Sequence, residues 1–242
     1  MNYIHLETID STSTYLKNNI NTLPNNSICY SDYQTNGRGR ITHTWDSEKG
    51  KNIIVSFLFK DFNIINNLSL ITYSIAVGVR KFLLNYVKNI YIKWPNDIYI
   101  NNKKICGILS ENIITSTNNI IIGIGININQ TNFNNLPTAT SLILETNKKE
   151  EYNIEELIKE LSIFIMNEIN KFKKTSNKKY LIRYLNKHLY GKDKKVEYIK
   201  DNNKIIGTLK YLSISKKHFA SIIIKDNKGN KNYIISNEIK FI

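Results

Sequence analysis

Two isoleucine-rich runs, residues 53–59 and 120–128, constrain this chain more than any other feature of its sequence. Each has the length of a strand, is too short to cross a bilayer and is apolar on both faces, so each belongs in the interior of a sheet. Ser56 alone breaks the first run, and Gly123 and Gly125 stand inside the second. An interior glycine weakens a strand and commonly marks a place where another group approaches the backbone. Between the runs, Leu70, Ile71, Ile75, Val77 and Phe82 recur at helical spacing and predict a core helix over residues 68–87. Shorter strands are predicted at 28–30, 91–94, 97–100 and 105–109, the last two separated by an Asn101-Asn102 turn. The string Asp10-Ser11-Thr12-Ser13-Thr14 offers several N-caps for a helix starting near Tyr15. Two further helices are predicted over 154–172 and 178–190, with Gly191 closing the second.

Beyond Gly191 the pattern changes to short alternating runs at 196–198, 205–212, 220–224 and 233–235, separated by asparagine and glycine. That pattern predicts a small all-β barrel of about fifty residues, with a boundary near Lys192 dividing the chain into domains 1–191 and 192–242. Composition excludes several function classes. Cys29 and Cys106 lie far apart with no CxxC spacing, which rules out a disulfide framework or a cysteine zinc site and fits a reducing compartment. His5, His43, His188 and His218 show no metal-binding spacing. With neither a secretory signal nor a membrane-length apolar run, the expectation is a soluble, cytoplasmic protein without a membrane partner. The net charge of +14 has two readings: a basic surface attracting nucleic acid, nucleotides or an acidic protein, or the lysine, asparagine and isoleucine excess that AT-rich coding produces.

Four stretches have chemical uses. In Gly37-Arg38-Gly39-Arg40, followed by Trp45, glycines let the backbone approach an anion and arginines offer planar forks for phosphate or carboxylate. An ordinary surface loop or an RNA-binding Arg-Gly pair would read the same way. In Lys93-Trp94-Pro95-Asn96-Asp97 the proline makes a rigid corner, and Lys, Asn and Asp can point into one pocket or merely cap a strand end. In Lys103-Lys104-Ile105-Cys106-Gly107 alternation sends the two lysines to opposite faces, one to solvent and the other either toward a pocket or to a solvated edge, with Cys106 a small buried hydrophobe rather than a nucleophile. In Gly123-Ile124-Gly125-Ile126-Asn127 the glycines clear one strand face, and the asparagine amide can both donate to and accept from a purine edge, though a tight strand crossing would read the same way.

In this order and spacing, with Asp10-Ser11-Thr12 and Gln34 ahead of them, these stretches resemble the biotin–protein ligase family, closely over residues 5–130 and loosely beyond. The resemblance implies an α+β fold, a mixed β-sheet flanked by helices related to class II tRNA synthetases, followed by an SH3-like β-barrel. It implies an ATP-dependent enzyme that makes biotinyl-5′-AMP and passes biotin to a lysine of a carrier protein. Ser11, Thr12 and Ser13, with Gln34, would hold the biotin ureido ring, and Gly107 would line the biotin side. Gly37, Arg38, Gly39 and Arg40 would close over the carboxylate and α-phosphate. Lys104 would sit between those two anions, so that Lys104, Arg38 and Arg40 form the catalytic set. Trp45 would wall the nucleotide side together with Arg40, Asn127 would read adenine, and Lys93, Asn96 and Asp97 would serve the triphosphate and its Mg²⁺, with Asp97 the candidate metal ligand. The chain departs from the family at Ile41-Thr42-His43, where glycine and polar residues are usual, which stiffens the loop.

Two rivals remain at this stage. Lipoate–protein ligases share the adenylation logic but carry an Arg-Arg…Gly-Gly-Gly…His loop that is absent here, and a nucleic-acid-binding module needs interleaved aromatics or a recognition helix. The catalytic motif begins by Asp10, leaving no room for the DNA-binding domain of some relatives, so no specific DNA partner is expected. The implied partner is the biotin carboxyl carrier protein of acetyl-CoA carboxylase or a similar enzyme, and the implied assembly a monomer or homodimer. Every residue matched to biotin or ATP precedes Gln130, so the barrel is not expected to line the pocket; its lysines (Lys192, Lys194, Lys195, Lys200, Lys204, Lys210, Lys216, Lys217) either steer an acidic carrier or keep the module soluble.

Overall fold

The structure of the chain, a computed structural model, describes residues 1–40, 43–62, 68–134, 136–175, 178–200, 203–215, 219–235 and 239–242. Ile41, Thr42, Lys216, Lys217 and His218, which figure in the sequence reading, lie outside the described residues. Seven strands form one sheet: Asn2–Ile9 (β1), Ser27–Gln34 (β2), Asn52–Phe59 (β3), Ile90–Lys93 (β4), Asp97–Ile100 (β5), Lys103–Ile114 (β6) and Asn118–Asn127 (β7), in the order β1-β2-β3-β7-β6-β5-β4. The two isoleucine-rich runs become β3 and β7, antiparallel neighbours at the centre, in register from Asn52↔Asn127 to Phe59↔Ile120. β1 and β2 run parallel and the other neighbours antiparallel, so the sheet is mixed as expected.

The two-residue period of a strand decides which helix each face meets. Helices occupy Thr12–Asn18 (α1), Leu68–Leu83 (α2), Leu142–Thr146 (α3), Ile154–Thr175 (α4) and Lys178–Lys187 (α5). On one face, Ile53, Val55, Phe57 and Phe59 of β3 and Ile120, Ile122, Ile124 and Ile126 of β7 share a core with Ile71 and Ile75 of α2 and Leu161 and Ile165 of α4. On the other face, Cys29, Leu58 and Ile121 pack with Leu16 of α1. Burying each such side chain contributes about 1.5–3 kcal/mol, which is why β3, buried at every position, has no freedom of register. Ser11 caps α1 in extended geometry, its hydroxyl accepting the Thr14 N–H at 3.5 Å.

Three elements were absent from the sequence reading: β1, α3 and the last strand, Ile239–Phe241, whose three residues are too few to show a period. β1 turns only Ile4 and Leu6 toward the α1-side cluster and fills its other positions largely with polar residues, so as an edge strand it has little apolar signature. α3, with five residues, is shorter than the window over which helical periodicity can be read.

The last segment forms a five-stranded antiparallel sheet from Lys195–Lys200 (β8), Asn203–Ser215 (β9), Phe219–Asp226 (β10), Lys231–Ile234 (β11) and Ile239–Phe241 (β12), ordered β11-β10-β9-β8-β12. Among the described residues no ladder joins β11 to β12. The two sheets are sewn together. Asn186 of α5 donates to the Leu212 carbonyl at 2.9 Å and accepts its N–H at 2.7 Å, while Ile92 of β4 exchanges backbone bonds with His188 and Tyr190, both at 2.9 Å. Val196, Leu209, Leu212, Ile222 and Ile224 belong to the same apolar core as β3. No described helix is long and apolar enough to cross a membrane.

Candidate active site

A cavity of about 330 Å³ opens on the α1 face of the large sheet. Its floor lies where β3, β7 and β6 present small residues: Ser56, Gly123, Gly125 and Gly107. One end is built from hydroxyls. The fully buried Ser56 Oγ lies 2.7 Å from Thr12 Oγ1 and 2.9 Å from Ser13 Oγ, and Gln34 Oε1 accepts both the Thr12 N–H (2.8 Å) and its hydroxyl (2.9 Å). Such a cluster can satisfy a small polar ring at several atoms, because each hydroxyl is donor and acceptor and the Gln34 amide nitrogen has no partner among the described residues.

The other end is cationic. Arg38, Arg40, Lys93 and Lys104 line the cavity, with Asp97 the one carboxylate among its lining residues. Lys104 Nζ lies 2.9 Å from Asp97 Oδ1, and Lys93 Nζ donates to the Tyr99 hydroxyl at 3.0 Å. Asn96 locks the Lys-Trp-Pro-Asn-Asp corner onto β6: its side chain donates to the Ile108 carbonyl at 2.7 Å, and its own carbonyl accepts the Ile108 N–H at 3.0 Å. The Lys104 backbone is held from the other side, its N–H donating to Thr138 at 2.7 Å and its carbonyl accepting from Thr140 at 2.9 Å. Neither cysteine is a nucleophile at neutral pH. Burial pushes the Cys29 thiol up to about 12 and the Cys106 thiol higher still.

The Gly-Arg-Gly-Arg segment roofs the cavity as a tight hairpin. Trp45 donates its N–H to the Gly37 carbonyl at 3.0 Å, and Gly39 donates to the His43 carbonyl at 2.8 Å. A Cβ on Gly37 would overlap the Trp45 carbonyl, so the hairpin requires glycine there. The Trp45 ring lies on Gly125 and Gly107, which face each other across β7 and β6, with Lys104 Nζ 5.7 Å from the ring centre. Among the described residues the Trp45 Nε1–H has no acceptor.

Residues 5–127, just over half of the chain, match the profile of the Biotin/lipoate A/B protein ligase family. The chain belongs to this family. It is 35% identical over 128 residues to the bifunctional ligase/repressor BirA of Bacillus subtilis, a match covering 52% of this chain and 39% of that protein. It is 33% identical over 131 residues to biotin–protein ligase 1, chloroplastic, of Arabidopsis thaliana, covering 50% of this chain and 34% of that one. The match thus spans less than half the length of these curated relatives. Among solved structures, a biotin protein ligase from Aquifex aeolicus in complex with biotin and ATP superposes over 100% of this chain and 98% of its own, with a TM-score of 0.82 and 28% identity.

Most residues that the family resemblance singled out come together in one cavity: Ser11, Thr12, Ser13 and Gln34 at the hydroxyl end, Arg38, Gly39, Arg40, Lys93, Asn96, Asp97 and Lys104 at the cationic end, Trp45 and Gly107 between them. Gly37 shapes the hairpin from outside the lining, and Asn127 is buried with its amide nitrogen donating to the Thr140 carbonyl at 2.9 Å. Lys103 is exposed and Lys104 faces the cavity; the two neighbours point apart as alternation requires, but it is the register shift between β5 and β6 at Ile98/Tyr99 that puts Lys104, rather than Lys103, on the side of Gly107. Beyond apolar wall residues such as Ile54 and Leu109, three residues that the sequence reading did not assign bear on the site. Ser56 did carry a signal, as the lone polar residue in an apolar strand. Ile239 of β12 lines the cavity, against the expectation that nothing beyond Gln130 would. Glu111 of β6 accepts both arms of Arg38, NH1 at 3.1 Å and NH2 at 2.7 Å.

Proposed function

We propose that the chain is an ATP-dependent biotin–protein ligase, forming biotinyl-5′-AMP and transferring biotin to a carrier lysine. The observation that carries this reading is the polarity of the cavity, with a buried hydroxyl–amide cluster at one end and four cations at the other. A ureido ring with an acidic tail has that same polarity. In this reading Ser11, Thr12, Ser13, Ser56 and Gln34 take the ureido group, and the valeryl tail runs over Gly107 toward Lys104.

Bringing the biotin carboxylate against the α-phosphate of ATP sets two anions together, and Lys104, Arg38 and Arg40 at the cationic end of the cavity offset the repulsion. The carboxylate oxygen attacks the α-phosphorus and pyrophosphate leaves. The carrier amine then attacks the acyl carbon and AMP leaves. Neither step needs a protein nucleophile, in keeping with the inert cysteines. Trp45 walls the nucleotide side, Asn127, whose amide nitrogen is held by Thr140, offers its amide oxygen to adenine, and Lys93 and Asn96 flank the triphosphate. Among the described residues no cluster of three acidic, histidine or cysteine groups forms a dedicated metal cage. The cavity-facing Asp97 nevertheless fits Mg²⁺, which takes one or two carboxylates beside phosphate and water oxygens. When bound, it supplies further charge neutralisation.

The protein is best placed in the cytoplasm, where both thiols stay reduced. We assign residues 192–242 to an SH3-like barrel, supported by the five antiparallel strands, and take the carrier to be the biotin carboxyl carrier protein of acetyl-CoA carboxylase or a relative. Pyrophosphate–ATP exchange in the presence of biotin, lipoate or no acid tests the activity. Biotin-dependent exchange is expected, and exchange supported by lipoate instead, or by neither acid, would defeat the reading.

A further inference from the structure

Of the four cations lining the cavity, Arg38 is held by a carboxylate that lies outside the lining. Glu111 stands on β6 in line with Gly107 and Leu109, on the face where Ile113 packs toward α1, and is paired across the ladder with Ile121. Its base is thus fixed in the rigid sheet, while Arg38 belongs to the roof hairpin. The two meet as a bidentate fork, NH1 to Oε1 at 3.1 Å and NH2 to Oε2 at 2.7 Å. A carboxylate this close to an anion-binding cavity lowers its positive potential, so its presence calls for a compensating gain. Arginine has five N–H donors, and Glu111 engages two of them, leaving three for a ligand. The fork therefore orients the guanidinium without using it up.

The roof is pinned to the sheet at two points. Trp45 rests on the Gly107–Gly125 floor and Arg38 on Glu111, and Gly39 and Arg40 lie between those pins in sequence. We infer that Glu111 is a positioning residue that anchors Arg38, and through it the roof hairpin, so that the enzyme retains its acyl-adenylate until the carrier amine arrives. This rests on the activity proposed above, in that the retained molecule is an acyl-adenylate.

The test uses the full chain carrying Glu111→Gln, which keeps the shape but loses the charge and one acceptor. In the absence of any ligand, tryptic cleavage at Arg40 should quicken by about fivefold, the effect of losing a well-formed, half-exposed ion pair. In single turnover the bound biotinyl-AMP should be lost about fivefold faster, while its formation changes less than about twofold. Arg38→Lys cannot form the fork, so Glu111→Gln should add nothing in that background. Should Glu111→Gln not fold, Glu111→Asp, which keeps the charge but falls one methylene short, carries the same readouts. Unchanged cleavage and intermediate lifetime in a folded variant, or a full further loss on top of Arg38→Lys, overturns the inference. A chain without biotin-dependent exchange overturns the activity instead, and the ligand-free cleavage series still decides the role of Glu111.

Discussion

Lys104 and Asp97 sit 2.9 Å apart on paired strands, a cation and a carboxylate in one cavity wall. When two anionic substrates arrive, the lysine is the group placed to meet both. Lys104→Ala should leave a folded protein whose pyrophosphate exchange falls by a factor of about a hundred to a thousand, as for loss of one preorganised electrostatic group. Lys103→Ala, on the exposed side of the same strand, should be silent in that assay, and near-normal exchange by Lys104→Ala would refute the assignment. Ser56 acts differently, as the hub that both Thr12 and Ser13 bond. Ser56→Ala leaves those hydroxyls without their shared partner, so the KM for biotin should rise by about tenfold, equivalent to one to two lost hydrogen bonds. An unchanged KM would show that the hub has no part in binding.

At the scale of elements, the roof hairpin and the α5–β4 seam each make a distinct prediction. A Cβ on Gly125 would overlap the Trp45 indole, so Gly125→Ala should lift the tryptophan off the floor. Trp94 is buried, so iodide quenching of fluorescence reports mainly on Trp45, and quenching should rise sharply in Gly125→Ala. The seam carries His188, whose carbonyl bonds Ile92 and whose ring is held at a lowered pKa of about 4, first by burial and then by Arg80 and Lys187. In the unfolded chain this histidine takes up a proton near pH 6.5, whereas in the folded one it does so only near 4. Its contribution to stability is therefore fully present above pH 6.5 and lost as the pH falls toward 4. Urea midpoints measured across that interval should fall less steeply for His188→Gln than for the parent; parallel curves would remove the histidine from the account.

For the whole molecule, the decisive fact is that the two sheets share one apolar core and that Ile239 reaches the cavity. Removing residues 192–242 would expose Leu185, Leu189 and their neighbours, so the truncated chain should unfold well below the parent in a thermal melt. The sequence alone assigned the barrel no place in the pocket, from which adenylation would survive its removal; the shared core makes loss of both steps the expected outcome. The lysine excess of the last segment is testable without truncation. If it steers an acidic carrier, transfer from preformed biotinyl-AMP at subsaturating carrier should slow as salt rises toward half-molar, while pyrophosphate exchange changes little. Salt-independent transfer would leave those lysines a solubility role only.

The sequence by itself determined what depends on neighbours along the chain. The unbroken apolar runs of β3 and β7, the helical period of α2, the glycine–arginine hairpin and the Lys-Trp-Pro-Asn-Asp corner are local patterns, and their chemistry was legible because each motif carries its own geometry. The tertiary structure decided what depends on strand order. Ser56 meets Thr12 and Ser13 because β3 passes beneath α1, and Gly107 faces Gly125 because β6 lies beside β7. Glu111 reaches Arg38 across 73 positions of sequence, and Ile239 arrives from the last strand. Side-chain period states which residues share a face, but only the packing of strands and helices states which faces meet.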